Sequence, residues 1–131
     1  MIGLDTNILV RYLTQDDAAQ ARKANRLIDG AVGKDERLHL DVIVLCELVW
    51  VLRGAYDFSK ETVGDAVAQI LDATRFSVDD RDLLREALEA YRSGQGDFSD
   101  CVLGMRNRRA GCSATATFDR GLKKNESFTV L

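Results

Sequence analysis

The sequence predicts an α/β fold of three layers, with helices flanking a mainly parallel central sheet. Two observations carry this. Short apolar or β-rich runs at residues 2–4, 38–40, 75–78, 113–118 and 128–131 alternate with longer stretches whose apolar residues recur at helical spacing. Isolated acids stand where a strand gives way to a helix, and that edge of an open α/β sheet is where ligands bind.

In chain order, residues 2–4 read as a short buried strand and Ile8 to Leu13 as a helix, with Thr6-Asn7 marking the switch. Asp16-Asp17 interrupt that helix and suit the start of a second one, in which Ala21, Ala24, Leu27 and Ile28 recur. Gly30 and Gly33 flank a loop carrying Lys34-Asp35-Glu36, and Leu38-His39-Leu40 alternates like a second strand. From Val42 to Leu52 only Glu47 is charged, and the length favours a buried helix over a strand. Gly54 ends it, and Ser59 caps a helix with Val63, Ala66, Val67, Ile70 and Leu71 on one side. After a third strand at residues 75–78, Asp79-Asp80 open a helix with the stripe Leu83, Leu84, Ala87, Leu88 and Tyr91, closed by Ser93-Gly94-Gln95-Gly96. Asp97 to Met105 starts another helix with two acids three apart on one face. Residues 113–118, apolar at alternate positions, and residues 128–131 supply the last strands.

A chain of 131 residues with 46% hydrophobic and 30% charged side chains and no proline suits one domain, residues 1–131, without linkers. No membrane-spanning run and no signal-type leader are seen, so a cytoplasmic protein is expected. Three cysteines, Cys46, Cys101 and Cys112, lack Cys-x-x-Cys spacing and indicate neither a disulfide framework nor a zinc site; they are expected to be buried small apolar residues. A net charge of −3 does not advertise a nucleic-acid binder, although local patches and bound metal can reverse the sign of a site.

The acids carry the chemistry. Asp5, Asp100 and Asp119 stand at strand-to-helix junctions, and Glu47 is expected inside an apolar helix, where an unpaired charge is expensive. A helix N-cap is the plain alternative for Asp5. Arg and Lys avoid the apolar segments bearing these acids, which leaves a divalent metal as the economical neutraliser. Mg2+ and Mn2+ prefer hard oxygen ligands, and two ions roughly 3.5–4 Å apart suit in-line phosphoryl displacement.

Leu4-Asp5-Thr6-Asn7-Ile8-Leu9-Val10-Arg11, Glu47 in its apolar helix, Asp97-Phe98-Ser99-Asp100 and Thr117-Phe118-Asp119 together resemble the PIN domain, specifically a VapC-type toxin ribonuclease. The resemblance implies a Rossmann-like PIN fold, Mg2+- or Mn2+-dependent endoribonuclease activity, a homodimer and a cognate VapB-type antitoxin. Carried onto this chain, it makes Asp5 the first metal ligand, with Thr6 or Asn7 as its support, and Glu47 the second acid. Asp97 and Asp100 both fit the third, Asp100 being favoured and Asp97 auxiliary. Asp119 matches the fourth acid, oriented by Thr117. Asp41 departs from the family, which often has a small or hydroxylated residue there; an N-cap fits it better than a ligand. The expected reaction is hydrolysis of an RNA phosphodiester by metal-activated water, leaving a 5′-phosphate and a 3′-hydroxyl, with no protein nucleophile.

RNA needs cations outside the acidic centre, and Arg11, Arg106, Arg108, Arg109, Arg120, Lys123 and Lys124 are the candidates for a phosphate-contacting rim, against a plain solvated helix face. Trp50 and Tyr56 fit core or dimer packing better than base stacking, and His39 fits a surface or core-edge position better than a general base. Crowded carboxylates should raise one another's proton affinity. Two other classes compete. A phosphoaspartate enzyme wants a second Asp where Asn7 stands, and a binding module with the same fold needs none of the acids.

Overall fold

Aspartates start most of the helices in the computed structural model, which describes residues 1–131. Five of the six helices have Asp at the N-cap: Asp5, Asp17, Asp41, Asp80 and Asp97. The carboxylates of Asp5, Asp17 and Asp41 accept backbone N–H groups of the first turn at 2.8, 3.0 and 2.8 Å, and Ser59 caps the remaining helix through the Thr62 N–H at 3.1 Å. The chain packs as two units, Met1–Asp79 and Asp80–Leu131.

In the first unit the order is β1 (Ile2–Gly3), α1 (Thr6–Thr14), α2 (Ala18–Gly33), β2 (Leu38–Leu40), α3 (Val42–Gly54), α4 (Lys60–Asp72) and β3 (Phe76–Val78). The strands form a three-stranded parallel sheet, β1-β2-β3, in which Gly3 pairs with His39 and His39 with Ser77. Each strand needs a helical crossover to reach its parallel neighbour, and a helix pair supplies it each time. Leu38, Leu40, Leu9, Ile28, Leu45, Leu48 and Val63 are all fully enclosed in its core. The second unit holds α5 (Arg81–Arg92), α6 (Phe98–Arg109), β4 (Thr115–Thr117), a 3-10 turn (Arg120–Leu122) and β5 (Phe128–Val130). β4 and β5 also pair in parallel, with Thr117 opposite Val130. α5 packs on α6, where Tyr91 meets Phe98 edge-to-face at 6.2 Å. The expected stripe of Leu83, Leu84, Ala87, Leu88 and Tyr91 is buried throughout. No helix is long and apolar enough to cross a membrane.

The α/β class and the parallel pairing are as the sequence predicts; several local expectations are corrected. β1 is exposed, Ile2 at 39%, because it is the end strand of its ladder and pairs on one side only. Gly30 lies within α2, whose Ala31 is buried and continues the apolar stripe one turn further, so the loop begins only at Lys34. α3 is not buried all round. Ile43, Glu47 and Trp50, spaced four and three apart, form one solvent-facing stripe, with Trp50 at 78% exposure, so neither Glu47 nor Trp50 is enclosed. Cys101 is buried, but Cys112 is exposed and Cys46 half-buried. In β4 the threonine side of the alternation turns inward. Thr115 and Thr117 are half-buried while Ala116 and Phe118 face outward. Both threonine hydroxyls accept hydrogen bonds, from Asn107 Nδ2 at 2.9 Å and from the Asp119 N–H at 3.0 Å, so the inward side of the strand has polar partners.

Candidate active site

Asp5 follows Leu4 at the carboxyl end of β1, exposed, with one carboxylate oxygen bonded to the Thr6 N–H. Thr6 itself is buried at 4% exposure, and its Oγ1 has no hydrogen-bond partner, an orphaned hydroxyl on the residue next to the first candidate ligand. Asn7 is exposed. The register of the parallel sheet extends this edge. Gly3, His39 and Ser77 stand in one row, and two residues beyond each of them comes an aspartate, namely Asp5, Asp41 and Asp79. Asp41 is occupied as an N-cap, as the sequence suggested, and the row including Asp79 became visible only once the register was known. Glu47 lies on the exposed stripe of α3, so burial gives it no need of a neutralising ion.

In the second unit two of the predicted acids, Asp97 and Asp119, act on the carboxylate of a third, Asp100. Asp97 caps α6 without a side-chain bond and is exposed, whereas Asp100, one turn in, is half-buried. Burial, then the charges of Asp97 and Asp119, hold the Asp100 carboxyl above the usual aspartate range, against the opposing effect of the Asp97 backbone N–H that donates to it. The crowding expected from the sequence therefore falls on Asp100. Asp119 caps the 3-10 turn, accepting the Gly121 N–H at 2.8 Å, and its own N–H donates to Thr117 Oγ1. Thr117 thus fixes the backbone that carries Asp119.

The candidate cations divide. Arg11 is half-buried in a network: it donates to Gln20 Oε1 at 2.7 Å, to Asp16 at 3.2 Å and to the Tyr56 hydroxyl at 2.8 Å. Sequence reasoning missed that role because its partners lie on other elements. Arg109 pairs with Asp80 at 3.3 Å on the surface, and Arg106, Arg108, Arg120, Lys123 and Lys124 are exposed. His39 is half-buried in the middle strand of its sheet, with Nδ1 unpartnered.

The donor set is entirely hard oxygen, which fits Mg2+ or Mn2+. No three His, Cys, Asp or Glu side chains stand together as a ready-made cage, but Mg2+ takes only one or two carboxylates and keeps its waters. Asp100, half-buried and crowded by two like charges, is a group that such a hydrated cation would satisfy.

The chain is 28% identical over 121 residues to a VapC ribonuclease of Aquifex aeolicus (strain VF5), covering 92% of this chain and 89% of that protein. No solved structure matches it. The family model for the PIN domain matches residues 2–127, and the chain belongs to the PIN domain family.

Proposed function

We propose that this protein is a metal-dependent endoribonuclease that hydrolyses RNA phosphodiesters, and that it is the toxin of a VapBC-type pair. The observation that carries the reading is Asp100, a half-buried carboxylate pressed by Asp97 and Asp119 on a chain similar over nine-tenths of its length to a VapC ribonuclease. A divalent ion, Mg2+ or Mn2+, supplies charge neutralisation and water activation when bound. Asp5, Glu47, Asp100 and Asp119 are the residues that would hold it, with Asp97 auxiliary. Thr6 and Asn7 support Asp5, and Thr117 holds the backbone of Asp119. Arg106, with Arg108, Arg120, Lys123 and Lys124, orients the RNA backbone through its phosphates. Arg109 does so once Asp80 is displaced. A VapB-type antitoxin and a homodimer complete the reading, and the stripe of Ile43 and Trp50 on α3 is apolar surface available for such association.

Purified protein is incubated with mixed transfer and structured RNAs in Mg2+, Mn2+ or EDTA, beside Asp5→Asn and Asp100→Asn. Discrete cuts with 5′-phosphate ends that need metal and vanish in both variants support the reading. No cleavage by folded protein, with no binding of Mn2+ at millimolar concentration, leaves a non-catalytic member of the family instead.

A further inference from the structure

Phe118 is the most exposed of the large apolar side chains, at 84%. A single exposed apolar residue is ordinary on a protein surface. Three features set this one apart. The backbone on both sides of it is held: the Thr117 carbonyl accepts the Leu131 N–H at 2.9 Å, Thr117 Oγ1 accepts the Asp119 N–H at 3.0 Å, and the Asp119 carboxylate accepts the Gly121 N–H at 2.8 Å. Leu122, buried at the end of the same turn, anchors it from below. The ring is therefore presented from a fixed platform, and little conformational freedom is lost when something lands on it.

The second feature is its chain neighbours. Phe118 stands between Thr117 and Asp119, with Arg120, Lys123 and Lys124 following, all three exposed. Between Leu103 and Lys124 six Arg and Lys face a single acid, Asp119, in a chain whose net charge is −3. A protein-docking face wants apolar neighbours around its aromatic anchor. Trp50 has one in Ile43, and Phe118 has one in the exposed Leu131 across the β4–β5 ladder, but the chain neighbours of Phe118 are Thr117 and Asp119, followed by the exposed cations Arg120, Lys123 and Lys124. A rigidly held, exposed aromatic ring followed in the chain by exposed cations suits an unpaired base on the ring with its flanking phosphates on the cations. The third feature is position: Phe118 adjoins Asp119, one of the acids that press on Asp100.

We infer that Phe118 is a stacking platform for one unpaired base of a single-stranded RNA segment, setting which nucleotide lies beside the acids of the second unit. The inference rests on the ribonuclease reading and adds to it a residue that selects single-stranded over paired substrate, since a base inside a duplex has no free face to offer.

The test uses the full chain, with Ca2+ replacing Mg2+, and a short fluorescein-labelled single-stranded RNA as probe, together with the same strand made abasic at one position at a time. Phe118→Ala should weaken binding roughly five- to a hundred-fold, Phe118→Trp should retain it, and Phe118→Leu should behave like the alanine variant because it keeps apolar bulk without a π-face. The dependence of affinity on salt should keep its slope in Phe118→Ala, because no phosphate contact is removed. One abasic position should weaken binding to the unaltered protein and leave Phe118→Ala indifferent. Equal binding by the alanine variant and the unaltered protein, while the latter binds and cuts RNA, overturns the inference and leaves the ribonuclease reading standing. Full binding by Phe118→Leu, or a loss of self-association in Phe118→Ala, assigns the ring to apolar packing or to a second copy of the chain and overturns it too. An unaltered protein that neither binds nor cuts RNA removes both.

Discussion

The Tyr56 hydroxyl donates to the Asp16 carboxylate at 2.7 Å while accepting from Arg11 at 2.8 Å, so a residue just past the end of α3 ties down the turn between α1 and α2. α1 is the helix that Asp5 caps. Removing the hydroxyl with Tyr56→Phe breaks both bonds, and a fall in melting temperature of roughly 2–6 °C is expected. Arg11→Ala should lower it similarly while leaving the salt slope of RNA binding unchanged. A slope reduced by about one would instead make Arg11 a phosphate contact.

The same cluster makes an acid-side prediction. Hydrogen bonds from Tyr56 and Thr14, with the charge of Arg11, hold the Asp16 carboxyl at about 2, below its ordinary value of 3.8. A depressed folded value means that Asp16 stabilises the native state above pH 3.8 and that this stabilisation fades as pH falls towards 2. Thermal melts of the unaltered chain and Asp16→Asn should therefore differ at pH 7 and converge between pH 4 and pH 2.

Asp100 carries the opposite sign. Its raised folded value means that its charge costs stability once pH climbs through that value, while below the unfolded value there is no cost. In metal-free protein at neutral pH, Asp100→Asn should melt at the same temperature or higher, while cleavage falls by at least about 100-fold. A large drop in melting temperature would make Asp100 a structural residue.

Gly96 is required where it stands. Its φ is +122°, and a Cβ there would lie 2.4 Å from Leu122 Cδ2 and 3.6 Å from the Asp100 Cβ. Gly96→Ala should destabilise by roughly 1–3 kcal/mol in chemical denaturation and displace the turn that leads into α6. Gly94→Ala, at φ +80° with nothing near its Cβ, should cost less.

Much of the fold was legible because it depends on local chemistry. Ser59 before Lys60, Asp17 before Ala18 and Asp41 before Val42 announce helix starts, since a short polar side chain satisfies the free N–H groups of a first turn wherever the helix sits. Apolar spacing likewise marked α4 and α5. The site was legible in its residue types, because carboxylates at strand ends are unusual enough to read along the chain, but their environments were not. Glu47 looked enclosed because its neighbours in sequence are apolar, yet its neighbours on the exposed side of α3 are Ile43 and Trp50.

What the sequence by itself determined is the order of strands and helices, the positions of the caps and the identity of the acids, all properties of residues within a few positions of each other. Only the tertiary structure decided which face of a segment meets solvent and which charges meet each other. Asp97 and Asp100 are alike in sequence, but packing half-buries Asp100 and brings Asp119 to bear on it, whereas Asp97 stays exposed at its cap. β4 shows the same division, since its alternation is plain in the sequence, and partners from α6 and the following turn choose which side turns inward. Burial and Coulomb interaction depend on distances through space, and residues far apart along the chain set those distances.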